Sequence, residues 1–204
     1  PGSVFHSMKD FVLQNDVIIG ATSFSLVTNR ITQEVLSQGG RFLSLPLSSN
    51  NGQPALAFDF MSMDPEEAGR AGHGMLEALR QAVRIHITTA LGTDLSFGKR
   101  GRQPGLFNGL ADRPGKVGSS SFEIYIGIEE TQTSGRAVVD GSLGYLGRPA
   151  APIPLTFQEG RLVQIDGETG AELKRYMDSF GDPGIYVAGE LGIGLNKLSR
   201  CVGN

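Results

Sequence analysis

The rhythm of apolar and polar positions changes partway along the chain. AspValIleIleGlyAla (16–21) is a short run rich in β-branched residues, the pattern of a buried strand. Thr22 and Ser23 can cap a helix whose apolar positions Phe24, Val27, Ile31 and Val35 recur at helical spacing. Gly39 and Gly40 close that helix, and ArgPheLeuSerLeuPro (41–46) reads as the next strand. Asp64-Pro65-Glu66-Glu67 supplies a cap, a proline in the first turn and acids against the helix dipole. Ala68, Ala71, Met75, Leu79, Ala82 and Val83 predict a buried stripe through residue 83, with a strand over 84–89 directly after it. This β-α-β-α-β order predicts a small parallel sheet with covering helices.

Strands dominate the rest. Residues 93–98 form a short strand, and 99–120 is a loop rich in Gly, Pro and Arg. Phe122, Ile124, Ile126 and Ile128 then alternate with Glu123, Tyr125, Gly127 and Glu129, the signature of a strand with two unlike faces. Another strand covers 136–140, and GlnGluGly (158–160) joins two strands as a hairpin. Thr169 and Glu172 make a capping box for a helix that turns Leu173, Tyr176, Met177 and Phe180 inward. Gly181 to Gly184 stops it, and 185–193 closes as a strand. The expected class is α/β with an α+β second half. A small α/β subdomain over 12–99 precedes a β-rich subdomain over 100–204, which has a helix near 170–180.

Composition narrows the possible partners. The 204 residues carry a formal net charge of −3 with a pI near 5.6, and no basic block breaks that balance, so no nucleic-acid partner is expected. No apolar run approaches the roughly 18 residues of a membrane span, so no membrane partner is expected either. The single cysteine, Cys201, excludes an internal disulfide framework and fits a cytoplasmic location. Twenty-nine glycines, about twice the usual share, predict many tight turns. Pro1-Gly2-Ser3 resembles a vector-derived scar and carries no weight in the fold reading.

Familiar catalytic motifs are missing: the sequence has no GxSxG, HExxH, CxxC or phosphate-binding lysine loop. His6, His73 and His86 stand at no metal-ligand spacing from one another or from Cys201, so structural roles are expected of them. The carboxylates are more informative. Glu123 sits in a strand of apolar residues, and Glu190 has small same-face neighbours in Ala188, Gly192 and Gly194. Such carboxylates must be solvated, paired with a cation or protonated. Alternation assigns Tyr125, Glu129 and Arg136 to the face of Glu123, and these five residues form the candidate ligand-binding set. The competing reading is an exposed sheet face with ordinary ion pairs.

AspValIleIleGly, GlyGlyArgPheLeuSerLeuPro, ThrThrAlaLeuGlyThrAspLeuSerPhe, ValValAspGlySer and GlyGluLeuGlyIleGlyLeuAsn follow one another in an order that resembles the aminopeptidase T-like metallopeptidases and the related 2,5-dihydroxypyridine 5,6-dioxygenases. The resemblance runs from about residue 12 to 204. It implies a divalent metal, Zn or Fe(II), with Glu123 and Glu190 at ligand positions; on the dioxygenase side it implies Glu123 alone. Two departures accompany it. Ser120-Ser121-Phe122 replaces the family's Pro-x-Gly approach to Glu123, and no histidine or His-x-Asp pair follows Glu190. A catalytic zinc takes three protein ligands, and an oxygen-activating iron takes two histidines and a carboxylate. The resulting expectation is a non-catalytic relative without catalytic residues or cofactor. It would bind a peptide, such as a ribosomally made precursor, or a small molecule, and act as a homodimer. The alternative is a metal-dependent aminopeptidase or ring-cleaving dioxygenase, incomplete as given.

Overall fold

The computed structural model describes residues 2–47, 53–201 and 203. Sixteen elements follow in chain order: α1 (Gly2–Ser7), α2 (Lys9–Leu13), β1 (Val17–Thr22), α3 (Arg30–Ser37), β2 (Arg41–Pro46), α4 (Pro65–Gln81), β3 (Arg84–Thr88), β4 (Asp94–Gly98), β5 (Gly105–Asn108), β6 (Val117–Ser119), β7 (Phe122–Gly127), β8 (Ser134–Val139), β9 (Ile153–Gln158), β10 (Arg161–Ile165), α5 (Glu168–Asp178) and β11 (Glu190–Gly194). They form two compact units, each discontinuous in sequence. One comprises 1–74, 106–124 and 193–199, and the other 75–105, 125–192 and 200–204. The sequence reading placed one boundary near residue 100. Among the described residues, no helix is long and apolar enough to cross a membrane.

In the first unit, a parallel sheet has the order β1-β2-β6. Ile31 and Val35 of α3 pack on Val12 of α2, and Ile18 of β1 joins that cluster. Asn29 caps α3 by accepting the Ile31 N–H at 2.9 Å, so the helix starts later than Thr22–Ser23. Thr22 ends β1 and donates its hydroxyl to the Phe24 carbonyl at 2.6 Å. The first half of α4 lies in this unit and starts as expected, with the Asp64 carboxylate accepting the Glu66 N–H at 2.9 Å. The buried positions along α4 are Ala68, Gly72, Leu76 and Leu79, whereas Ala71 and Met75 face solvent. Gly72 belongs to the stripe because it has no side chain: a Cβ there would lie 2.8 Å from Leu195 Cδ1 and 3.1 Å from Leu106 Cδ1.

The third parallel strand is β6 rather than the predicted β3. In the second unit, β3 pairs antiparallel with β4. Only residues 89–93 separate these strands, closed by a Thr89 N–H bond to the Thr93 carbonyl at 3.1 Å. A parallel return needs a crossover of about a dozen residues or more. The full antiparallel sheet has the order β10-β9-β8-β4-β3. One face carries Leu95, Phe97, Leu155 and Leu162 into the core, where α5 adds Leu173 and Met177. Helix α5 has Gly167 as its N-cap with no side-chain cap bond, and Phe180 is exposed, so the capping box and the inward Phe180 are both corrected. Residues 183–186 form a 3₁₀ turn, which delays the last strand to Glu190. A third sheet has the order β11-β7-β5.

Candidate functional site

β7 shows the period of two that its sequence predicts: Phe122, Ile124 and Ile126 are buried, while Glu123, Tyr125 and Gly127 are half-buried. Glu123 and Tyr125 therefore share the face opposite the apolar residues. The Tyr125 ring lies directly over Gly105 of β5, in space that any side chain at 105 would occupy. Glu123 belongs to the first unit; Tyr125, Glu129, Arg136 and Glu190 belong to the second.

The other candidates are placed differently. Glu129 follows β7, and its Oε2 accepts the Arg100 N–H at 3.2 Å, while its own N–H donates to the Gly98 carbonyl at 2.8 Å. It fastens the turn after β4. Next to it, Arg102 donates to the Glu130 carboxylate at 2.6 Å and to the Ile128 carbonyl. The bond from Arg102 holds the Glu130 carboxyl below the usual carboxylate range. Arg136 stands on β8 of the antiparallel sheet, opposite Asp94 and Thr156. Glu190 opens β11 and is exposed.

The histidines lie apart from these carboxylates in the chain. His86 Nε2 is 2.6 Å from Asp94 Oδ1 on an exposed surface. His73 is exposed on α4. His6 belongs to α1 and lines a cavity of about 280 Å³ with Lys9, Asn29, Arg30, Ile31 and Glu34. Lys9 sits 2.7 Å from Glu34 and lowers its pKa, so that carboxylate is already engaged. Among the described residues, no three of His, Cys, Asp and Glu come together in a way that could hold a metal ion. One functional-looking residue has no signal in the sequence: Lys99, 2% exposed, whose ammonium donates to two backbone carbonyls.

The architecture is shared with two solved structures. It is similar to 2,5-dihydroxypyridine dioxygenase from Pseudomonas putida KT2440 with a TM-score of 0.78 and 21% identity, over 94% of this chain and 54% of that one. It is also similar to wild-type AmpT from Thermus thermophilus with a TM-score of 0.61 and 15% identity, over 95% and 59% of the two chains. These likenesses define the fold, and the chain spans little more than half the length of either protein. The sequence profile of the NicX family, 2,5-dihydroxypyridine 5,6-dioxygenase, matches residues 5–202, and the chain belongs to that family. No curated protein sequence matches it.

Membership overturns the expectation of a chain without a cofactor. The family and its aminopeptidase T relatives are metal-dependent enzymes. The described residues do not fit a complete metal site, however. Among them, His, Cys, Asp and Glu side chains do not converge in threes, and neither a zinc nor an iron site closes on fewer.

Proposed function

We propose that the chain serves the metal-dependent ring-cleaving chemistry of its family as a carboxylate-bearing portion, with Glu123 as the ligand it offers. The observation that carries this reading is the family match over residues 5–202, which includes the half-buried Glu123 on β7. A rigid strand is a suitable base for a ligand, because the alternating core residues fix its direction. This reading requires the remaining donors to be supplied from outside the described residues. Oxygen and a dihydroxypyridine are the substrates of this reading, and the single cysteine is consistent with a cytoplasmic setting.

The test is anaerobic titration with Fe(II), followed by air and 2,5-dihydroxypyridine, with loss of the aromatic absorbance as the readout. Glu123→Gln keeps the shape and removes the charge. It is expected to weaken metal binding by at least about tenfold and to lower turnover in parallel. Fe(II) uptake and pyridine consumption left unchanged in a folded Glu123→Gln variant would exclude the reading.

One observation favours a second reading, a non-catalytic relative that binds peptides such as ribosomally made precursors. β1 is an edge of the parallel sheet, and Val17 and Ile19 on it are 44% and 61% exposed. An extended peptide can add to such an edge through main-chain hydrogen bonds and cover those side chains. A second copy of the chain could do the same, giving a homodimer. Titration calorimetry with extended apolar peptides tests this reading, with light scattering to detect self-association. Heat of binding lost in Ile19→Lys supports it; no heat from any peptide removes it.

A further inference from the structure

The antiparallel sheet of the second unit turns one face to its core and the other to solvent, and strand register decides which residues share the open face. Arg84, His86 and Thr88 on β3 stand opposite Gly98, Ser96 and Asp94 on β4. Asp94 and Ser96 stand opposite Arg136 and Ser134 on β8, and Arg136 stands opposite Thr156 on β9. Arg161 on β10 faces Gln158 of β9, which lies on the side of Thr156. Directly opposed residues of an antiparallel pair point the same way. Arg84, His86, Arg136 and Arg161 therefore share this face with Asp94, and all five are exposed; the Glu129 carboxylate also lies on it, over Gly98 and opposite Arg84.

Both acids are engaged: Asp94 Oδ1 lies 2.6 Å from His86 Nε2, and Glu129 Oε2 accepts the Arg100 N–H at 3.2 Å. Arg161 donates one N–H to the Pro183 carbonyl at 2.8 Å and keeps its charge. Neither Arg84 nor Arg136 has an ion-pair partner among the described residues. The protein as a whole is acidic, with 21 acidic against 18 basic residues, whereas this face carries three arginines against the two acids Asp94 and Glu129.

Spacing identifies the kind of anion. Strands about 4.8 Å apart, with a rise of about 3.4 Å per residue, set the arginine positions on this face more than about 10 Å from one another. That is too wide to grip one phosphate or one carboxylate, and it matches a partner with charges spread along its length. The face offers serine and threonine hydroxyls but no aromatic ring, so it has no platform on which bases could stack. We propose that this open sheet face docks an acidic segment of a partner protein, with Arg84, Arg136 and Arg161 meeting Asp or Glu side chains spaced along it. The proposal is independent of the dioxygenase reading, because Glu123 takes no part in it.

The experiment is fluorescence anisotropy of a labelled oligoglutamate peptide against the whole chain at low salt. Binding that weakens steeply as salt rises, and whose Kd increases at least about tenfold in the Arg84→Glu/Arg136→Glu double variant, supports the proposal. Arg84→Gln/Arg136→Gln, which keeps polar side chains without charge repulsion, decides the matter if the reversal variant does not fold, and should also weaken binding. Circular dichroism checks both variants. Unchanged affinity in a folded variant, or no binding by wild type at low salt, overturns the proposal. So does tighter binding of a single-stranded DNA oligonucleotide than of the peptide, which would assign the face to nucleic acid. Salt-sensitive self-association abolished by the same variant would assign it to a second copy and overturn the proposal as well.

Discussion

Gly160→Ala is expected to lower stability by about 4 kcal/mol, as the sum of two separate costs. β9 and β10 are joined through Glu159 and Gly160, whose φ values are 47° and 82°. Two consecutive residues of positive φ are what a two-residue hairpin turn with the right twist requires. Alanine in that conformation costs about 1–2 kcal/mol. The larger cost is steric, because a Cβ at 160 would run into the backbone carbonyl of Glu130. A flexible side chain could swing aside, but this carbonyl belongs to the turn between β7 and β8. Moving that turn breaks the Gly160 N–H bond to the Thr133 carbonyl at 2.8 Å, and Thr133 is fully buried. An acceptor stranded without a donor costs about 1–3 kcal/mol. Urea unfolding should show a lower midpoint with an unchanged slope. Glu159→Asn serves as the control: it supplies a residue that tolerates positive φ and is expected to match or slightly exceed wild-type stability. A Gly160→Ala midpoint equal to wild type would mean that the turn is not clamped.

That hairpin was legible in the sequence, and the reason separates what local pattern encodes from what it does not. Short β-branched runs and strict alternation marked β1, β2, β4 and β7, because these strands state their burial through their own side chains. Partner choice is not written that way. The strand at 84–88 looks the same whether its neighbour is parallel or antiparallel, and only the short 89–93 connection favours the hairpin with β4. The stripe on α4 failed for a different reason. Reading apolar residues leads from Ala68 to Ala71 and Met75, whereas the packed positions run through Gly72 and Leu76. A one-position error rotates the stripe by about 100°. Gly72 is buried because it has no side chain, and hydropathy cannot score that. β5 and β6, of four and three residues, lie in a stretch of Gly, Pro and Arg, and pairing with neighbouring strands holds them there.

The placement of the candidate residues was partly legible. Alternation placed Glu123 and Tyr125 on the non-core face of β7, where they are found. It also grouped Arg136 with them, although β8 belongs to another sheet, because alternation orders residues within a strand and says nothing about which sheet the strand joins. Glu129 continues the same period, yet its carboxylate is committed to the Arg100 N–H, a partner 29 residues away. The expectation of no cofactor came from weighing the donors visible in the sequence. The family match overturns that expectation, while the described donors do not come together in threes.

Lys99 shows the same limit most sharply, because a Lys-Arg pair after a strand reads as solvated. Its ammonium instead donates to the Arg102 carbonyl at 2.9 Å and to the Arg80 carbonyl at 3.4 Å, and its N–H donates to the Val83 carbonyl at 3.1 Å. Arg80 lies in the last turn of α4, where carbonyls lack helical partners and the dipole favours a cation. Two effects oppose each other. Dehydrating an ammonium costs several kcal/mol, a cost that methionine would remove. Losing the ammonium leaves two carbonyls facing a closed space, at about 1–3 kcal/mol each. The conformation itself indicates which effect prevails. Lysines send their amines to water wherever the stem can reach, and Arg100 and Gly101 beside it are exposed, yet this amine turns inward. Lys99→Met is therefore expected to destabilise by about 2 kcal/mol, through the carbonyls alone. Lys99→Ala also removes the packed stem, at about 0.8 kcal/mol per methylene, and should reach about 4 kcal/mol. Denaturant midpoints of the pair separate the two contributions. If the methionine variant proves as stable as wild type, the inward amine costs as much as it contributes, and the closure of α4 onto the turn after β4 rests on the stem and the Val83 bond.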